Sequence, residues 1–188
     1  MSLRILTAIA AIAICLQSAF CATPEGRKFS RKQLQADTNI HFAWGADAGA
    51  SIDMSAHDMS AIDFNASFGM RRGWINFLGL GLGTQISVSN SSRCYPVFAE
   101  FRTNFRDKPS LFFWDIRAGV AYNLTDFGHE YTAFFGFTGA GINLARSNKF
   151  TSYMMLGMTY RTGKDHFHNT EAYQPDIYMA TCKIGVTF

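Results

Sequence analysis

From about His41 to the C-terminal Phe188 the chain alternates large apolar side chains with Gly, Ser, Asn or charge at a period of two. The 3.6-residue spacing of an amphipathic helix fails almost throughout, so the pattern predicts strands. The first, 41–52, sets Phe42, Trp44, Ala46, Ala48 and Ile52 against Gly45, Asp47, Gly49 and Ser51. The second, 61–71, sets Ile62, Phe64, Phe68 and Met70 against Asp63, Asn65, Ser67 and Gly69. An Arg72-Gly73 turn leads into a third strand, from Trp74 to about Val88, with Leu78, Leu80, Leu82 and Ile86 on one face. The fourth, 95–106, sets Tyr95, Val97, Ala99, Phe101 and Phe105 against Glu100, Arg102, Asn104 and Arg106, and Asp107-Lys108-Pro109-Ser110 then turns the chain. The remaining strands fall at 111–122, 131–144, 150–161 and 176–188. In the sixth, Phe134 and Phe135 are adjacent, which leaves its phase open and admits a bulge.

Eight strands in succession, without internal repeat, make one meander. The predicted fold class is all-β, an eight-stranded antiparallel up-and-down barrel, and a ruler in the sequence points to the transmembrane kind. Four strands carry aromatics ten positions apart in one phase: Tyr95 and Phe105, Phe112 and Tyr122, Phe150 and Tyr160, Tyr178 and Phe188. At about 3.3 Å per residue and a tilt near 40°, ten steps climb roughly 25 Å, the height of an outer membrane's apolar band between its aromatic girdles. Followed up and down the meander, the Tyr residues fall at one rim and the Phe residues at the other. Both ends of the barrel lie at the Phe rim, which is therefore expected to face the periplasm. Connections there (around Arg72, Lys108 and Ser147) read as short, whereas the Tyr rim includes 162–175. A soluble lipocalin-like barrel is the rival, with the same apolar face turned inward around a ligand, but a narrow lumen could hardly hold so many rings.

Composition agrees with one strand-rich domain. Of 188 residues, 48% are hydrophobic, 15% aromatic and only 16% charged, and the net charge of +3 comes largely from Arg27, Lys28, Arg31 and Lys32 rather than from a basic face. Nucleic-acid binding is not expected. Residues 1–22 read as a cleaved secretory signal, with Arg4 before the apolar stretch Ile5–Leu16, too short to span a bilayer. Cleavage after Cys21 or after Ala22 both fit; Cys21 as a lipid attachment site would sit behind a bulky Phe20. Residues 23–40 follow as a polar periplasmic leader, and 41–188 form the barrel. Cys94 and Cys182 then remain in the mature chain, outside any metal-type spacing and expected as free thiols.

With apolar side chains outside, Asp47, Asp63, Glu100, Arg102, Arg106, Asp115 and Arg117 project into the lumen and must be paired there. A turn centred on Lys108 and Pro109 sets Glu100 across from Arg117 and Arg102 across from Asp115, two adjacent ion pairs of alternating sign. An eight-stranded barrel is just wide enough to be filled by side chains, so a packed polar lumen is expected instead of an open pore. Gly79, Gly81 and Gly83 alternate within a strand and precede no helix, which reads as lumen-facing glycine and not as a phosphate loop. The longest outer connection holds Asp165-His166-Phe167-His168-Asn169-Thr170-Glu171. His166 and His168 could meet a divalent metal there, but spacing fixes no third ligand, and no metal or other cofactor is assigned.

The terminal Phe188, closing an amphipathic strand, is similar to the sorting signal of bacterial outer-membrane barrels. Residues 41–188 resemble the small OmpX-like and OmpA-transmembrane class of porin-family barrels. That resemblance implies an outer-membrane location, contact with lipid, insertion by the barrel-assembly machinery through the last strand, and a monomer. It implies a non-enzymatic envelope or surface-contact protein. A lipid-modifying enzyme and a narrow channel are the alternatives. His166-Phe167-His168-Asn169 resembles the His-x-Ser-Asn signature of lipid A 3-O-deacylases, but His168 stands where the nucleophilic Ser belongs and strand eight has no Glu to orient a base. No catalytic residue is assigned. Asn65-Ala66-Ser67, Asn90-Ser91-Ser92 and Asn123-Leu124-Thr125 match glycosylation acceptors, a motif of little force in a bacterial envelope.

Overall fold

The structure, a computed structural model, describes residues 40–55, 59–89, 91–104, 111–124, 130–146, 150–163 and 176–188. These form eight strands: β1 His41–Asp53, β2 Ala61–Arg72, β3 Ile75–Ser87, β4 Arg93–Thr103, β5 Phe112–Leu124, β6 Glu130–Arg146, β7 Thr151–Arg161 and β8 Ile177–Thr187. Each pairs antiparallel with its sequence neighbours, and β8 returns to β1, so the sheet is a closed barrel of meander connectivity. Closure leaves no unpaired edge.

The register fixes the barrel's dimensions. A circuit of hydrogen-bonded neighbours from Trp44 runs through Phe68, Leu80, Ala99, Ala118, Gly136, Tyr160 and Tyr178, and returns to β1 at Met54, ten residues beyond its start. At about 3.3 Å per residue and about 4.7 Å between strands, that shear tilts the strands by about 40° and gives a backbone radius of about 8 Å. Such a lumen is filled by side chains.

One parity points inward along each strand: odd numbers in seven strands and even numbers in β4. The outward parity carries Phe42, Trp44, Phe64, Phe68, Leu80, Leu82, Val97, Phe112, Val120, Phe134, Leu156 and Met158, all exposed, with Leu80 68% open and Phe112 62%. The alternation in sequence thus separates two walls. In β6 the phase is settled: Phe134 is exposed and Phe135 fully buried, and the regular pairing with β5 continues through both. The irregularity of β6 lies at its other end, between Asn143 and Ala145.

Other details depart from the sequence reading. Trp74 belongs to the β2–β3 turn with Gly73, which takes a positive φ of 55° that only glycine adopts readily. The turn is held by the Trp74 carbonyl, which accepts from the Asn104 amide at 3.1 Å and from Thr103 Oγ1 at 3.3 Å. β4 begins two residues early, at Arg93, and its ladder with β3 passes from Leu82–Val97 to Gln85–Cys94, skipping Pro96, which has no N–H to give. The connection of β4 to β5, 104–111, is longer than those of β3 to β4 (88–92) and β5 to β6 (125–129), so the expected shortness of the Phe-rim loops holds for 73–74 and 147–150 but not for this one. Phe105, Arg106 and the turn at Lys108 lie outside the described residues.

The seam is closed by the end of the chain. Backbone groups of Trp44 and Phe188 exchange hydrogen bonds at 3.3 and 2.8 Å, and their rings stack at 4.4 Å with 15° between planes. Phe150 adds its ring 6.2 Å from Phe188, and Phe112 is exposed at the same rim. At the opposite rim Tyr95 pairs with Tyr122 and Tyr160 with Tyr178, the latter rings 5.0 Å apart. The Tyr122 hydroxyl donates to Glu130, and that of Tyr160 to Asp176 at 3.0 Å.

Candidate functional site

Two elements of the lumen hold concentrated chemistry: a charged layer at mid-height and the mouth at the Tyr rim. The charged layer is built on β4 and β5, where Glu100 stands opposite Arg117 and Arg102 opposite Asp115. Both arginines reach further than those pairs. Arg102 donates from Nη2 to Glu100 at 2.7 Å, from Nε to Asp115 at 2.9 Å and from Nη1 to Thr187 of β8 at 3.2 Å. Arg117 donates from Nε to Asp115 at 3.1 Å and from Nη2 to Asp47 of β1 at 2.7 Å, with Glu100 at 3.5 Å.

In an eight-stranded barrel β4 faces β8 and β5 faces β1, so both arginines cross the full lumen. Asp47 also accepts from Asn65 Nδ2 at 2.8 Å, and Glu100 from Ser67 Oγ at 2.5 Å. All five charged residues are 6% exposed or less. The layer is a plug in which each of the five charges has an ion pair and hydrogen bonds, as burial requires, and among their polar atoms Arg117 Nη1 alone has no partner.

A packed polar lumen is only half of what the barrel encloses. Phe98, Phe113, Phe135, Phe137, Tyr153 and Met155 are buried there as one cluster with Cys94 and Ala121. Arg102 lies over Tyr153 and Phe113, 4.0 and 5.0 Å from the ring centres, and Arg117 over Phe98 and Phe137 at 5.2 and 5.5 Å. Rings flank the guanidinium planes and shield them from water, a cation–π arrangement. The lumen glycines make room for them. A Cβ on Gly81 would strike the Phe98 ring, and one on Gly141 the Phe113 ring.

Above the plug, toward the Tyr rim, Ser51 donates to Asp63 at 2.5 Å, and Ser51, Thr181 and Thr159 continue a hydroxyl chain at 2.9 and 2.8 Å. Lys183 of β8, 1% exposed, sets Nζ 4.4 Å from the Phe137 ring centre with no hydrogen-bond acceptor among the described residues. Sequence reasoning passed over this lysine, although the parity that turned Cys182 and Ile184 outward already implied that it points in. Cys94 and Cys182 are free thiols, the first buried.

The mouth is a cavity of about 20 Å³ at the Tyr-rim ends of the strands, lined by Gln85, Arg93, Cys94, Asn123, Tyr131 and Arg161 among others. His166 and His168 lie outside the described residues. Among the described residues no three His, Cys, Asp or Glu side chains are grouped to hold a metal ion.

No protein-family profile matches the chain, and no curated protein matches it by sequence. Its fold is similar to that in the crystal structure of Neisserial surface protein A, with a TM-score of 0.52 and 15% identity over 79% of this chain and 97% of that one. At that identity the likeness is one of architecture, a small barrel of the same kind.

Proposed function

We propose that the chain is an integral outer-membrane barrel of the bacterial envelope, a non-enzymatic surface protein whose lumen is plugged and whose Tyr rim faces outward. The observation that carries this reading is the outer wall. A closed barrel with Leu80, Leu82, Val97, Phe112, Leu156 and many more large apolar side chains exposed presents to water far more apolar surface than soluble proteins tolerate. A lipid bilayer is the solvent that such a wall fits. The stacked Trp44 and Phe188 and the paired Tyr160 and Tyr178 supply aromatic girdles at the two interfaces.

On this reading residues 1–22 direct export and are removed, outer-membrane lipid is the chief partner, and β8 with its terminal Phe188 is what the assembly machinery engages. The Neisserial barrel of similar architecture is, by its name, a surface protein, which supports the same role here. The arginines that cross the lumen argue against a channel. The test is electrophoresis of the detergent-extracted membrane fraction with and without boiling. A folded barrel is expected to migrate differently once boiled; unchanged mobility, or recovery of the protein from the soluble fraction, overturns the proposal.

A further inference from the structure

Gln85, Cys94, Asn123 and Tyr131 form one cross-strand row on the inner wall from β3 to β6, each paired with the next. Arg161 of β7 completes the lining of the mouth cavity with Arg93 at its exposed lip, and among the described residues no acidic side chain lines it. Three of these residues bury a polar atom without a partner: Gln85 Oε1, Asn123 Oδ1 and Arg161 Nε, on side chains 2, 3 and 6% exposed. Arg161 has the Cys94 thiol beside it but no ion pair with any described carboxylate.

The amide orientations are set by their other ends. Asn123 Nδ2 donates to the carbonyls of Ala121 at 3.1 Å and Tyr131 at 3.4 Å, and Gln85 is hydrogen-bonded to Asp63. A carboxylate takes only donors, so the Gln85 amide nitrogen faces Asp63 and its oxygen is left over. The mouth therefore offers one buried guanidinium group, that of Arg161, and two amide oxygens. A bare anion would satisfy the first and be repelled by the second, while a neutral alcohol would leave the arginine without a counter-charge.

We infer that the mouth is a binding site for a hydroxylated anion, a sugar acid or similar hydroxy acid, whose carboxylate meets Arg161 while a neighbouring hydroxyl donates to Asn123 Oδ1 or Gln85 Oε1. The cavity, about 20 Å³, takes one small group and leaves the remainder of the ligand outside the lip. That this lip faces the cell's surroundings rests on the membrane reading; the chemistry of the site does not. Loss of binding in detergent thus bears on the binding site alone, and loss of heat-modifiability on the membrane reading alone.

The test is NMR titration of the isotope-labelled protein, extracted in detergent, with galacturonate, galactose and acetate. Galacturonate is expected to shift the Arg161 Nε–H and Asn123 Nδ2 signals at about tenfold lower concentration than either of the others, because each of them forfeits one charge-assisted or hydroxyl contact. Arg161→Met is expected to abolish the response. Gln85→Leu should weaken it about tenfold or less, and decides the matter should Arg161→Met fail to fold. A short oligogalacturonate separates the two sources of the group: binding of the monomer alone assigns a free acid, and binding of both assigns the end of a saccharide. No shift at about 10 mM galacturonate (a free energy near 3 kcal/mol), an equal response to acetate or galactose, or a cavity occupied by water alone overturns the inference.

Discussion

Asp47, Glu100, Arg102, Asp115 and Arg117 at mid-height each have at least two polar partners on other side chains. A few residues further toward the Tyr rim, Gln85, Asn123 and Arg161 are nearly as deeply buried and each keeps an unpartnered polar atom, as only Arg117, at Nη1, does among the five charged residues of the plug. The same wall, strand tilt and radius serve both levels. Burial of polar atoms therefore does not by itself mark a binding site here. The distinguishing property is whether the protein satisfies what it buries, since an orphaned buried group costs about 1–3 kcal/mol unless something else supplies the missing bond. A layer satisfied at all but one atom holds walls together; one with an orphan on each of three side chains is left for a guest.

The largest effect expected from that contrast is at Arg117. Replacing it with Met leaves Asp47 buried without its counter-ion and strips one of two cationic partners from Asp115 and Glu100, which keep Arg102. Removing one member of such a pair costs about 3–5 kcal/mol, read as a fall in the urea midpoint of the barrel refolded in detergent or lipid. Adding Asp47→Asn should return part of the loss by removing the orphaned charge. A change below about 1 kcal/mol would mean that the plug is solvated and no different from the mouth.

How much of this was readable before the fold was known depends on which contacts are local. The two walls followed from parity, which needs no knowledge of partners. The opposition of Glu100 to Arg117 and of Arg102 to Asp115 followed from the centre of one turn. Asp47 against Arg117 could not be read that way, because it joins β1 to β5 across the lumen and is set by the ten-residue shear of closure, a property of no single hairpin. The lumen rings were hidden for another reason. Phe113 sits between Phe112 and Trp114, and Phe135 follows Phe134, so apolar neighbours on opposite walls erase the alternation at the positions where rings go inward. The mouth was the least legible, since its residues come from the ends of different strands and are ordinary one at a time.

An intermediate effect sharpens the comparison by asking how tight the plug is. Gly81→Ala would drive a methyl group into the Phe98 ring and to 2.7 Å from Ser67 Oγ, the donor to Glu100. Overpacking of this sort costs about 1–3 kcal/mol, and the midpoint should fall without loss of the heat-modifiable form. If Gly81→Ala is neutral, the rings beside the arginines have room to move, and the contrast with the open mouth narrows.

The smallest effect is expected at Arg161, and it bears most directly on the contrast. Burying a guanidinium without a counter-ion costs free energy that the Cys94 thiol, a weak acceptor, offsets only in small part. Arg161→Met keeps much of the side chain's length and removes that penalty along with the charge. The urea midpoint should therefore stay within about 1 kcal/mol of the parent or rise, in the absence of ligand. The same substitution in the plug, at Arg117, should be among the most damaging in the barrel. A loss above about 3 kcal/mol at Arg161 would show that the protein itself satisfies this arginine. The mouth would then be a second plug, and the two levels of the lumen would differ in composition but not in kind.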